Sequence, residues 1–300
     1  MFCLKKVLLI VNPVAGKLRL HSELFNIIEV FCKNDFSVTT AVTQYRGHGK
    51  ELAASAHKEG YDMVVCCGGD GTLNEAISGI LNTEDGERVP LGYIPAGSTN
   101  DFADTLGISS VPSAAALAIC KASLINIDVG EFAKDHNFSY IATFGAFSAA
   151  SYNAPQELKN TIGHMAYLIE GLKQLGSMPV FKVHITADGN EYQGEYIYCS
   201  VSNTRSVAGI VKLSENIVDL HDGLFEVILV KYPKNIIETG RIISGVLASD
   251  FSDDMFQFFK AKDIVFDMEE ETSWSLDGEE VLAPKHVEIR NLHSAVDMYI

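Results

Sequence analysis

The chain has 300 residues, 47% of them apolar and 21% charged, with a formal net charge of −16. That is enough material for one large domain or two ordinary ones. The charge excludes the broad basic face of a nucleic-acid binder and opposes strong electrostatic adhesion to anionic lipid. It is unevenly spread: Lys5, Lys6, Lys17, Arg19, Lys33, Arg46, Lys50 and Lys58 make the start mildly basic, and Glu269, Glu270 and Glu271 read as a solvated acidic run near the end. Six cysteines lack C-x-x-C or disulfide-framework spacing, and nine histidines lack ligand spacing, so the expectation is a reducing cytosol and no zinc site.

The opening MFCLKKVLLIVNPVAG imitates a secretory signal, but Asn12-Pro13 breaks the apolar run and a helical pattern follows, so Lys5–Val11 reads as a first buried strand. No stretch approaches the roughly 18 apolar residues of a membrane helix. HSELFNIIEVFCKN places Leu24, Ile27, Ile28 and Phe31 on one helical face, and FSVTTAVT is a second strand. His48 to Glu59 reads as a short helix closed by Gly60. DMVVCC is an uninterrupted apolar strand of the kind covered on both faces of a parallel sheet. A helix over Leu73–Leu81, the strand PLGYIP and the helix SAAALAIC complete repeated β-α units, the pattern of a doubly wound α/β domain.

After about Ile125 the pattern changes to alternating strands. FKVHITADGNEYQGEYIYCSVSN carries a hairpin turn at Asp188-Gly189, and GLFEVILV, DIVFDM and HVEIRNL are further strands. Helical stretches near Gln156–Leu175 and Ile236–Leu247 interrupt them. The expected architecture is an α/β domain over 1–125 and a mainly antiparallel β-sandwich over 126–300, with the active site in the cleft between them.

The chemistry concentrates in VVCCGGDGTLNEAI. Gly68, Gly69 and Gly71 allow a tight turn that exposes backbone N–H groups at a helix start, an anion site. Thr72 reads as the helix cap, with Glu75 completing a capping box. Neither a Rossmann G-x-G-x-x-G nor a Walker A loop is present. Asp70 would repel phosphate oxygens directly, but it suits a divalent cation lying between. Two further loops follow strands on the same side: VNPVAGK with Asn12, and IPAGSTNDFA with Gly97, Ser98, Thr99, Asn100 and Asp101.

N-P-x-x-G, G-G-D-G-T and P-x-G-[ST]-x-N-D, in this order and spacing, resemble the catalytic domain of the diacylglycerol kinases in its bacterial soluble form, which sphingosine and ceramide kinases share. The resemblance continues through Lys159, Gly163, Ala166 and Tyr167, through DGLFEV (222–227) and through SLDGE (275–279). It implies an ATP- and Mg²⁺-dependent lipid kinase in which Glu279 is the general base. It also implies that Asp70 and Asp101 organise the magnesium–water network. Nucleotide contacts would fall on Asn12, Thr72, Thr99 and Asn100, with backbone help from Gly68, Gly69, Gly71 and Gly97. A structural magnesium would use Asp222 with the carbonyls of Asp219 and Leu224, and Asp128 would play a supporting part.

The stretch NTRSVAGIVKLSENIVDLHDG departs from the family, keeping only Gly209 of a glycine run and lacking its proline turn. The expected partners are ATP, a lipid acceptor such as diacylglycerol and a transient peripheral membrane contact, with a homodimer allowed and no nucleic acid. The expected location is cytoplasmic, or peripheral on the inner membrane face. The alternatives are an NAD kinase-like enzyme and a nucleotide-binding regulatory protein without turnover. Without the resemblance, Asp277-Gly278 reads as a hairpin turn, and Trp274 as a packing residue near the cleft.

Overall fold

The computed structural model describes residues 4–15, 19–83, 85–97, 100–145, 179–204, 206–207, 211–212 and 219–300. The chain divides into unit 1, Met1–Asp128 with Ser294–Ile300, and unit 2, Val129–His293. The sequence reading ran the second half unbroken to residue 300; the closing residues from Ser294 instead belong to unit 1.

In unit 1 the apolar runs form the strands β1 (Lys5–Val11), β2 (Phe36–Val42), β3 (Met63–Gly68) and β4 (Leu91–Pro95). They lie in the order β2-β1-β3-β4, all parallel. The end of β17 (His286–Tyr299) pairs in parallel beyond β4, with Met298 opposite Leu91. Every residue of β3 is buried, which explains the absence of polar side chains from Met63 to Cys67.

The helices are α1 (Arg19–Lys33), α2 (His48–Ser55), α3 (Asp70–Leu81), α4 (Asp101–Leu106) and α5 (Pro112–Lys121). α1 buries Ile27 and Phe31 in a core with Val7, Leu9 and Val65 of the sheet and with Ala115, Ala116 and Ile119 of α5; Leu24 and Ile28 pack partly against it. Three boundaries differ from expectation. α2 stops at Ser55 and the chain turns until Gly60, at φ 79°. α3 starts at Asp70 rather than Leu73. The short α4 was unforeseen because Asn-Asp reads as turn chemistry, and here Asn100 holds the left-handed conformation that launches the helix.

In unit 2 the strands are β5 (Leu124–Phe132, which begins in unit 1), β6 (His136–Phe138), β7 (Ile141–Gly145), β8 (Phe181–Ala187), β9 (Asn190–Ser202), the small pair β10 (Ser206–Val207) and β11 (Val211–Lys212), then β12 (Phe225–Lys231), β13 (Phe256–Ala261), β14 (Asp263–Met268), β15 (Thr272–Leu276) and β16 (Glu279–Ala283). One helix, α6 (Ile236–Ala248), lies between β12 and β13 in the chain. The first part of β9 pairs with β8, and its last part lies between β7 and β12. β9 therefore joins two antiparallel sheets, β16-β15-β7-β9-β12-β13 and β9-β8-β14-β17-β5-β6.

Their inner faces share a core of Phe144, Cys199, Val227 and Trp274 with Phe132, Ile185, Phe266 and Val287. Trp274 is central to it, its ring against those of Phe132, Phe144 and Phe266. The Asp188-Gly189 hairpin forms as expected, both residues at positive φ. The stretch 156–175, expected to be helical, lies outside the described residues, as do Lys159, Gly163, Ala166, Tyr167 and Gly209.

Candidate active site

β1, β3 and β4 are neighbours, so the loops at their carboxyl ends come together. The Asn12 N–H donates to the Cys67 carbonyl (3.0 Å) and the Ala96 N–H to the Gly68 carbonyl (2.7 Å), carrying the sheet register into both loops. Asn12 Nδ2 donates to Thr72 Oγ1 at 3.0 Å. A Cβ on Gly97 would stand 2.6 Å from Gly69 Cα, so the two loops touch backbone to backbone and only glycine fits. The Asn100 side chain locks the second loop: its Oδ1 accepts the Gly97 N–H (2.8 Å) and its Nδ2 donates to the Gly97 carbonyl (3.0 Å). Thr99 lies outside the described residues.

Asp70 is the first residue of α3 and follows Gly69, the N-cap, with no side chain capping the helix. The expected capping box is therefore corrected: Thr72 is already inside the helix and its hydroxyl is taken by Asn12. Glu75 turns instead to another helix start, its carboxylate accepting the N–H groups of Gly47 (2.7 Å) and Gly49 (3.0 Å) before and within α2. An aspartate in the first turn is electrostatically favoured by the helix dipole.

Asp70 Oδ2 accepts the backbone N–H of Asp101 at 3.2 Å, so the two aspartates predicted for the site are brought together. Asp101 is buried. Burial pushes its carboxyl up to about 6, and Asp104 adds to the effect. No described residue donates a hydrogen bond to that carboxylate. Beside the pair, the Tyr93 hydroxyl lies 3.4 Å from Asn100 Oδ1 and from the Gly68 carbonyl, and 3.5 Å from Asp70 Oδ1. Burial raises its pKa and keeps it protonated as a donor. Sequence reading missed Tyr93, whose only signal is a hydroxyl-bearing ring in an otherwise apolar strand.

Among the described residues no group of three or more His, Cys, Asp or Glu side chains forms a metal cluster. Asp70 and Asp101 are the residues that would hold Mg²⁺, which commonly takes one or two carboxylates and completes its shell with water and phosphate oxygens. The buried Asp101 carboxylate, lacking a donor, is the group such an ion would satisfy.

Of the residues named for a structural magnesium, the Asp222 carboxylate is engaged by a lysine and by backbone. Lys260 Nζ sits 2.8 Å from Asp222 Oδ2, and Asp222 Oδ1 accepts the Leu224 N–H at 3.0 Å. Asp219 Oδ1 accepts the His221 N–H, also at 3.0 Å. The same ammonium lies 3.1 Å from Oε1 of the buried Glu226, as an ion pair without hydrogen-bond alignment. Burial pushes the Glu226 carboxyl up to about 7 against the opposing pull of Lys260. Lys260 is thus the cation that the Asp222 and Glu226 carboxylates share.

Glu279 opens β16 and is exposed, directly after the Asp277-Gly278 hairpin, whose φ angles are 50° and 88°. The buried carboxylate of this motif is Asp277. It accepts the N–H groups of Ser139, Tyr140 and Ile141, the last two at 3.0 Å, and so clamps the β15–β16 turn to the start of β7. Burial in this motif falls on Asp277, two residues before the exposed Glu279. Asp128, the supporting residue, is fully buried with Oδ1 accepting the Ser294 N–H at 2.7 Å.

Residues 6–132 match the family model of the diacylglycerol kinase catalytic domain. The chain is 31% identical to the diacylglycerol kinase of Bacillus subtilis (strain 168) over 278 residues, which cover 92% of this chain and 90% of the relative. The chain belongs to the diacylglycerol kinase family. It is accordingly an enzyme, a kinase whose acceptor is a lipid hydroxyl. A diacylglycerol kinase of Staphylococcus aureus (strain bovine RF122 / ET3-1) is 33% identical over 240 residues, covering 80% of this chain and 75% of that one. A solved structure from Bacillus anthracis strain Sterne superimposes on this family member with a TM-score of 0.83 at 28% identity, covering 100% of this chain and 97% of the other. A second solved structure, of a diacylglycerol kinase from the same strain, gives 0.74 at 25% identity, covering 100% of this chain and 98% of the other. No helix among the described residues is long and apolar enough to cross a membrane.

Proposed function

We propose that this kinase transfers the γ-phosphoryl group of ATP to the hydroxyl of diacylglycerol or a closely related lipid, with Mg²⁺ as cofactor, working in the cytoplasm and meeting the inner membrane face peripherally. One observation supports the reading above the others: the loops after β1, β3 and β4 converge, tied by the Asn12–Thr72 and Asp101–Asp70 hydrogen bonds. That is the ligand crevice of an open α/β sheet.

Nucleotide phosphates would lie over the first turn of α3, where Gly68, Gly69, Gly71 and Gly97 let the chain approach closely. Asn12, Thr72, Thr99 and Asn100 would position them. Asp70 and Asp101 would hold Mg²⁺, which when bound would supply charge neutralisation for the transferring phosphates. Glu279 accepts the acceptor hydroxyl's proton as that oxygen bonds to the γ-phosphorus; the bond to the β,γ-bridging oxygen breaks and ADP departs. Asp277 serves by holding the turn that carries Glu279.

The test is transfer of labelled γ-phosphate from ATP to diacylglycerol, monoacylglycerol, ceramide and sphingosine in mixed micelles, and to NAD, beside Glu279→Gln. Transfer to a lipid that is lost in the variant supports the reading. Transfer to NAD alone, or a variant as active as the parent, sinks it.

A further inference from the structure

We propose that Tyr93 is a positioning residue for phosphoryl transfer: its hydroxyl fixes one oxygen of the Asp70 carboxylate, so that this carboxylate meets the metal–nucleotide complex already oriented. The inference rests on the kinase reading, which supplies the ligand that Asp70 serves.

Tyr93 is the middle residue of β4, paired with Cys66 of β3 and fully buried. The other residues of β4 are Leu91, Gly92, Ile94 and Pro95, none with a polar side-chain atom. A phenol buried in such a strand needs an acceptor. Phenylalanine would fill the same space without that requirement, so packing alone does not account for the hydroxyl. Cys66 lies two residues short of Gly68, where β3 ends, and from there only a long side chain reaches the carboxyl edge of the sheet. The tyrosine does so. Its hydroxyl lies 3.4 Å from the Gly68 carbonyl, 3.4 Å from Asn100 Oδ1 and 3.5 Å from Asp70 Oδ1. One proton thus faces three acceptors, all of them in the loops of the site.

Charge decides among the three. The Gly68 carbonyl already accepts the Ala96 N–H at 2.7 Å, and Asn100 Oδ1 already accepts the Gly97 N–H at 2.8 Å. Only Asp70 brings a carboxylate, to which a hydrogen bond is roughly twice as strong as to a neutral oxygen. Its other oxygen, Oδ2, accepts the Asp101 N–H at 3.2 Å. The carboxylate is therefore gripped by one donor on each oxygen, a phenol from β4 and a backbone amide from the loop that follows it. Held on both sides, it loses the rotation about its terminal bond, and that ordering is complete before the ligand arrives. Contacts of this length at catalytic sites tighten once substrate is bound.

The experiment is a double-mutant cycle on the full chain, with the parent, Tyr93→Phe, Asp70→Asn and the double variant. Phenylalanine keeps the ring and its packing, and asparagine offers a single acceptor oxygen to the two donors. Turnover of diacylglycerol in mixed micelles is measured beside thermal melts and beside titration calorimetry of ATP with and without Mg²⁺. Tyr93→Phe is expected to melt close to the parent and to bind metal-free ATP as the parent does. It is expected to lose about tenfold in kcat with KM for the lipid unchanged. The gain in ATP affinity that Mg²⁺ confers on the parent is expected to shrink severalfold in this variant. In the Asp70→Asn background the tyrosine change should cost no more than about twofold.

A Tyr93→Phe variant with parental kcat and parental affinity for ATP in Mg²⁺ overturns the proposal. So does an equal loss in both backgrounds, which assigns the hydroxyl to Gly68 or Asn100. A variant that melts well below the parent and no longer binds metal-free ATP overturns it too, making Tyr93 a core residue. A parent that phosphorylates no lipid, while Mg²⁺ tightens its ATP and Tyr93→Phe reduces that gain, sinks the kinase reading and leaves the positioning role standing.

Discussion

The backbone N–H of Asp101 donates to Asp70 Oδ2 at 3.2 Å, joining the loop after β4 to the first turn of α3. One carboxylate thereby has two tasks, as an acceptor that fixes the neighbouring loop and as a negative charge. Asp70→Asn keeps an acceptor and removes the charge. It is expected to fold with little change in Tm and to lose about a hundredfold or more in kcat, while Asp70→Ala lowers Tm as well. Thermal melts beside steady-state kinetics separate the two tasks.

The Asn12–Thr72 hydrogen bond couples the loop after β1 to α3. Asn12→Ala and Thr72→Val together should cost less than the sum of the single changes, with a coupling of about 1 kcal/mol in a double-mutant cycle of stability. In kinetics the single changes should raise KM for ATP more than they lower kcat. Additive effects would show that the bond carries no energy.

The Gly69–Gly97 contact leaves no room for a methyl group. Gly97→Ala places its Cβ 2.6 Å from the Gly69 backbone and 2.7 Å from Asn100 Oδ1, so a loop must move. ATP affinity is expected to fall about tenfold or more, measured by titration calorimetry. In Gly60→Ala, by contrast, the added Cβ meets nothing within 4 Å and only the positive φ is strained, so stability falls slightly and ATP affinity stays.

Asp101 supplies a pH dependence. Burial raises its folded value to about 6 from 3.8, so the folded state binds the proton more tightly than the unfolded chain. Its contribution to stability is greatest at low pH and is lost as pH rises through that window. Asp101→Asn should remove this downward trend between about pH 4 and 6 and raise Tm at neutral pH while abolishing activity. Melts of parent and variant across that range decide it; parallel curves would count against the assignment.

Which parts of this molecule could be read in advance follows from chemistry and distance in the chain. Glycine, asparagine and aspartate at strand ends have few reasons to cluster, so the three loops of unit 1 were legible one by one. What each side chain pairs with was not. Glu75 obeys the spacing of a capping box with Thr72, yet it caps α2 instead, because α3 begins at Asp70 and puts Thr72 inside the helix. Tyr93 could not be distinguished from a core ring until the fold set it beside Asp70 and Asn100. The same holds for Lys260, whose meeting with Asp222 and Glu226 depends on the pairing of β12 with β13. In unit 2, β8 and the first half of β9 alternate and β12 is a continuous apolar run, whereas β6, β7, β15 and β16 are short and their register is set by partners such as the Asp277 clamp.

Lys260 leads to a metal prediction. With the ammonium in place, Mg²⁺ alone should not raise the Tm of the parent through Asp222. Lys260→Ala leaves the buried Glu226 uncompensated and is expected to cost about 2 kcal/mol or more. Added Mg²⁺ should then recover part of the loss, and Lys260→Ala/Asp222→Asn should cancel the recovery. A parent whose melting responds to Mg²⁺ in a manner abolished by Asp222→Asn would show that the cation displaces the lysine.

The end of β17 also orders events at the ribosome. β4 gains its outer neighbour only from Met298 and Tyr299, residues made after every strand of unit 2. While unit 2 is being translated, the sheet that carries the glycine loop exposes an unpaired edge at β4, with Leu91 and Ile94 beside it. Unit 1 therefore finishes last although most of it emerges first, and a chain stalled before Ser294 would present that edge to its neighbours as a template for aggregation.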